Sequence, residues 1–100
     1  MIYLLYGNDE FIKEEQVKKI RKSIGELHLG INYIKIDSIN LSEILDNIET
    51  PAFGYDTKTI EIRKSGLFKK ETAELKKFGE NFTQNDFEYI NIIFIEDEIS

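Results

Sequence analysis

"IYLLYGNDEF", Ile2 to Phe11, changes its period halfway along. An unbroken apolar and aromatic run, Ile2 to Tyr6, closes at Gly7, and a run of that kind reads as a strand buried inside a parallel sheet. Asn8 or Asp9 then stands ready to cap a helix, with acids in its first turn. Phe11, Val17, Ile20, Ile24 and Leu27 share one face of the helix this predicts, and Gly25 and Gly30 punctuate its end.

Outward from that unit the pattern repeats. "INYIKID", Ile31 to Asp37, predicts a second strand, and Asn40 with Glu43 forms a capping-box-like pair before Leu41, Ile44, Leu45 and Ile48. This second helix must stop near Glu49, because Pro51 disfavours helical geometry at Thr50. "TKTIEIRK" sets Ile60 and Ile62 against Thr59, Glu61 and Arg63, the period of a strand. A third helix, interrupted by Gly79, carries Leu75, Phe78 and Phe82. The apolar run Ile90, Ile92, Ile93, Phe94 and Ile95 predicts a last buried strand. Short buried strands alternating with amphipathic helices imply an α/β fold: a mainly parallel sheet with right-handed crossovers and helices on both faces.

The chain has 100 residues, of which 41% are hydrophobic and 32% charged, enough for one domain with one modest core. A net charge of −6 argues against a nucleic-acid clamp, which needs clustered Lys and Arg, and favours a protein or small-molecule partner. Cysteine is absent, which removes disulfides and thiolate metal sites and fits a reducing cytoplasm. The first residues carry no basic leader, and their apolar run is too short to span a membrane. The reading is a soluble intracellular domain, residues 1–100, of the kind cut from a longer chain.

Chemistry is sparse. Ligands of such sheets sit beyond the carboxyl ends of the strands, so Gly7, Asn8 and Asp9 are the first candidates. A phosphate loop needs several glycines followed by Lys and Ser or Thr, whereas this loop offers one glycine and then acids. It reads as a helix cap, with no cofactor expected. Glu96, Asp97 and Glu98 have the form of a magnesium-holding strand end, but without a phosphate loop they read as a solvated terminus and no metal is expected. His28 reads as a surface residue. Asp37 matches a phosphoacceptor only loosely, since its acidic partners would have to be Asp9 and Glu10. Lys18 to Lys22, "KKIRK", reads as a solvated helix face.

One connection is unusual. In "ETPAFGYDTK", Phe53 follows the chain's only proline and precedes a glycine. The aromatic either folds back into the core or projects as a hydrophobic anchor on a stiffened turn. Residue patterning leaves both readings open.

"MIYLLYGNDEFIKEEQVKKI" followed at this separation by "ETPAFGYDTKTIEIRK" resembles the N-terminal domain of the delta subunit of the bacterial DNA polymerase III clamp loader. The resemblance covers essentially the whole chain. It implies an AAA+-type fold, P-loop-like, with a degenerate nucleotide site, and a non-catalytic subunit that binds the sliding clamp (the beta subunit) and helps open the ring without hydrolysing ATP. The family's wedge falls on Ala52 and Phe53, shaped by Pro51 and Gly54, with Thr50 at the helix end and Tyr55 beside it. Ala52 departs from the large aliphatic often found there. Contacts with other clamp-loader subunits would use regions absent from this chain, and no direct DNA or membrane contact is expected. The alternatives are a nucleotide-dependent hydrolase or phosphotransferase of similar fold, and a purely structural α/β domain.

Overall fold

A computed structural model describes residues 1–37, 43, 46–47, 50, 52, 54–65 and 89–97. The elements are β1 (Ile2–Leu5), α1 (Glu10–Ile24), β2 (Tyr33–Ile36), β3 (Lys58–Arg63) and β4 (Ile90–Ile95). All the described strands pair in parallel, in the order β1-β4-β3-β2, so the α/β expectation holds. The two strands joined by α1 therefore lie at opposite edges, and β4 enters between β1 and β3. The second helix shows in the helical backbone of Glu43, Asp46 and Asn47. The third, with Leu75, Phe78 and Phe82, lies outside the described residues.

Position in the sheet corrects the reading of β1. Among the described residues it pairs only with β4, and Ile2 and Leu4 remain 38% and 39% exposed. The interior place belongs to β4, where Ile92, Ile93 and Phe94 are completely buried. An apolar run is compatible with either place, because it reports which residues tolerate burial and not which neighbours arrive.

Helix α1 starts where Asp9 Oδ1 accepts the Ile12 N–H at 3.0 Å, and ends where the Gly25 N–H reaches the Arg21 carbonyl at 3.2 Å. Its inward stripe is Lys13, Val17, Ile20 and Ile24: Val17 packs with Ile93 and Ile95, and Tyr3, Leu5, Ile20 and Ile24 close around them. Phe11 was expected on that stripe and is instead 74% exposed. It stands six residues before Val17, about 120° away around a helix of 3.6 residues per turn.

The alternation of β3 misleads in a second way. Thr59, Glu61 and Arg63 occupy the α1 side of the sheet, and Glu61 is fully buried. Its Oε1 accepts from Arg21 Nη2 at 2.6 Å, Arg21 Nε at 3.1 Å and the Tyr33 hydroxyl at 2.7 Å, while Arg63 bonds Glu14 at 2.5 Å. Arg21 thus leaves the solvated "KKIRK" face and crosses to the sheet, whereas Lys18, Lys19 and Lys22 stay exposed. The space beneath α1 is apolar over β1 and β4 and ionic over β3 and β2. The opposite face of the sheet is apolar at its centre, with Ile60, Ile62, Ile92 and Phe94 all at 0% exposure, and carries Lys58 at its amino end.

Candidate functional site

Two clusters of the predicted residues lie at opposite ends of this sheet. At the carboxyl end, Gly7 takes a φ of 130°, a conformation other residues rarely adopt, and its N–H donates to the Asp97 carbonyl at 2.9 Å. Asp9 is committed to its helix cap. The residue that dominates this end is Lys13, only 4% exposed, whose Nζ meets the Glu96 carbonyl at 2.9 Å, Glu10 Oε1 at 2.9 Å and Asp97 Oδ1 at 3.4 Å. Burial by itself lowers the pKa of this ammonium, but the Glu10 and Asp97 carboxylates outweigh it and hold the group above its ordinary value.

Glu96 was expected to be solvated with its acidic neighbours. It is instead 4% exposed and bound on both oxygens by Ser65, from the N–H at 2.9 Å and from the hydroxyl. Asp97 is the solvated member and Glu98 lies outside the described residues. Among the described residues no three or more His, Cys, Asp and Glu side chains gather as metal ligands would. Among the described residues of this end, Asp9, Glu10, Lys13, Glu96 and Asp97 each have a partner from the chain.

The amino end is arranged differently. The Thr50 N–H and Oγ1 both donate to the Asp46 carbonyl, at 3.1 and 2.7 Å, ending the helix where the proline signal placed its stop. The Tyr55 N–H then closes a turn on the Ala52 carbonyl at 3.1 Å, with Gly54 at a φ of 86° supplying the left-handed residue such a turn needs. Thr50 and Gly54 are exposed, Ala52 and Tyr55 half-buried. Pro51 and Phe53 lie outside the described residues. The Tyr55 ring tilts at 45° against His28, 5.5 Å between centroids, so the lone histidine is a surface residue that touches the candidate segment.

Sequence reasoning missed three features here. Lys58 is 5% exposed and donates from Nζ to the carbonyls of Asn47 and Thr50, at 2.8 and 3.0 Å. Burial pushes its pKa down, and no carboxylate among the described residues counters it. Asn32, 3% exposed, fastens the loop before β2, accepting the His28 N–H at 2.6 Å and donating to the Glu26 carbonyl at 2.9 Å. Leu29 and Ile31, in that same loop, are 66% and 52% exposed. The one available signal was the place of Lys58, first in a strand that follows a helix end, where carbonyls without amide partners attract cations.

No helix among the described residues is long and apolar enough to cross a membrane. Neither the curated proteins nor the solved structures contain a match to this chain. The family model described as "DNA polymerase III, delta subunit" does match, over residues 3–99. With nearly its entire length so matched, the chain belongs to the DNA polymerase III delta subunit family.

Proposed function

We propose that this chain is the N-terminal clamp-binding domain of a clamp-loader delta subunit, an AAA+-type domain whose nucleotide site has degenerated. Family membership carries a role in clamp loading during DNA replication, as a non-catalytic component of the polymerase III assembly. The observation that supports the finer reading is the frame around position 53: a helix stop at Thr50 and a closed turn from Ala52 to Tyr55. A segment tied on both sides binds with less ordering cost than a free loop. Phe53 is the anchor that enters an apolar pocket of the sliding clamp, Ala52 its smaller neighbour, and Thr50, Pro51, Gly54 and Tyr55 shape and flank the wedge.

The loss of nucleotide chemistry is consistent with the carboxyl end, where Lys13, Glu10, Asp97, Glu96 and Ser65 satisfy one another. ATP binding and hydrolysis fall to other subunits of the loader, which contact parts of the delta subunit outside this chain. Ring opening is driven by tighter binding to the sprung clamp than to the closed one, since only that difference does work on the ring. A domain of net charge −6 adds no attraction to DNA, so DNA contacts lie elsewhere in the assembly, in the cytoplasm.

Surface plasmon resonance against the sliding clamp of the same organism tests this, with Phe53→Ala as comparison and thermal melts of both proteins. Wild type is expected to bind and an equally stable Phe53→Ala to lose at least tenfold in affinity. Absence of wild-type binding at high micromolar clamp, or an alanine variant that unfolds, overturns the reading.

A further inference from the structure

Lys58 begins β3, yet its side chain reaches back to the helix end that precedes the candidate segment. Thr50 enters that segment and Lys58 leaves it, so one ammonium ties the two roots together through the Thr50 carbonyl. The Asn47 carbonyl, one helical turn earlier, receives the second bond. Hydrogen bonds from a charged donor are shorter and stronger than neutral ones, and this donor is shielded from water. Among the described residues no carboxylate shares it, and both of its bonds go to main-chain oxygens.

We propose that Lys58 is a positioning residue: its ammonium fixes the Thr50–Tyr55 segment in the shape that a partner protein binds, without touching that partner. The second half of this statement rests on the clamp-binding reading above, whereas the first half stands on the contacts of Lys58 alone. A neutral side chain of equal length leaves the sheet intact and the segment loosely held.

The absence of cysteine makes the test chemical, because Lys58→Cys introduces a unique thiol. The variant is alkylated while unfolded and then refolded. 2-Bromoethylamine, whose bromide the thiolate displaces, restores an ammonium at nearly the same reach; 1-bromopropane, attacked in the same way, gives a neutral side chain of the same length with no hydrogen-bond donor. Hydrogen exchange is read at the amides of Thr50 and Tyr55, with β3 and β4 amides as the control for global folding, and clamp affinity is read by surface plasmon resonance. The ammonium form is expected to match wild type in both. The neutral form is expected to exchange faster at Thr50 and Tyr55 alone and to bind on the order of tenfold more weakly. Equal exchange at those amides in the two forms overturns the positioning role, as does equal affinity despite unequal exchange. If the neutral form loses protection throughout the sheet, Lys58→Met, which keeps the apolar stem, is measured in its place and judged by the same two outcomes. A wild-type chain that binds no clamp overturns the clamp reading, and the exchange data then still decide whether the ammonium fixes the segment.

Discussion

Two lysines, Lys13 and Lys58, are buried almost equally at opposite ends of the sheet, with 4% and 5% exposure, and they are held by different chemistry. Lys13 meets two carboxylates and one carbonyl, and its pKa is raised. Lys58 meets two carbonyls, and its pKa is lowered. Among the described residues, full charges answer the first lysine and partial charges the second, so one end of the sheet holds its cation with acids and the other with carbonyl dipoles. The difference separates a cation answered by acids from one that ties a helix end to the start of a strand.

Removing the ammonium at the carboxyl end is expected to have the largest effect. Lys13→Met strands the Glu96 carbonyl, while Glu10 and Asp97, both more than half exposed, return to water. A loss of about 1–3 kcal/mol in urea unfolding is expected, with clamp affinity of the folded protein unchanged. A fall in affinity would show that the two ends are coupled.

Ala52→Leu probes the amino end. It adds apolar area at the proposed wedge and is expected to strengthen clamp binding by about 1 kcal/mol, roughly fivefold, as measured by surface plasmon resonance. If binding is unchanged, Ala52 is not part of the contact. His28→Ala removes the ring against Tyr55, and a stability change of about 0.5 kcal/mol is expected in a thermal melt.

Alkali sharpens the contrast without any mutation. The pKa of Lys13 is raised, so its stabilisation is fully present below its ordinary value of 10.5 and is lost as pH rises through the higher folded value. Tyr33 adds to this: burial and the Glu61 carboxylate raise its pKa above 10.0, and its contribution also fades only in alkali. Lys58, shifted the other way, is expected to release its proton first. Carbon-13 NMR of the lysine Cε positions checks the order, and a Lys58 midpoint at or above that of Lys13 would contradict the assigned environments.

Much of the fold was legible because the signals are local. The apolar runs at Ile2 and Ile90 and the alternation around Ile60 became strands, Asp9 proved to be the cap, and the helix stop ahead of Pro51 appears in the two bonds from Thr50 to Asp46. The candidate segment was visible in the bare "TPAFGY", but the residues that hold it were not.

What the sequence by itself determined, then, is where the chain extends, coils and turns, since side-chain period, capping and proline sterics act within a few residues. The tertiary structure alone decided that β1 lies at an edge with β4 beside it, that Glu61 is buried among Arg21, Arg63 and Tyr33, and that Lys13 and Lys58 point inward. Lys13 and its acceptor Glu96 are 83 residues apart. A charged side chain is buried when distant segments supply the opposite charge or the carbonyl that offsets its lost water, and local periodicity carries no record of those partners.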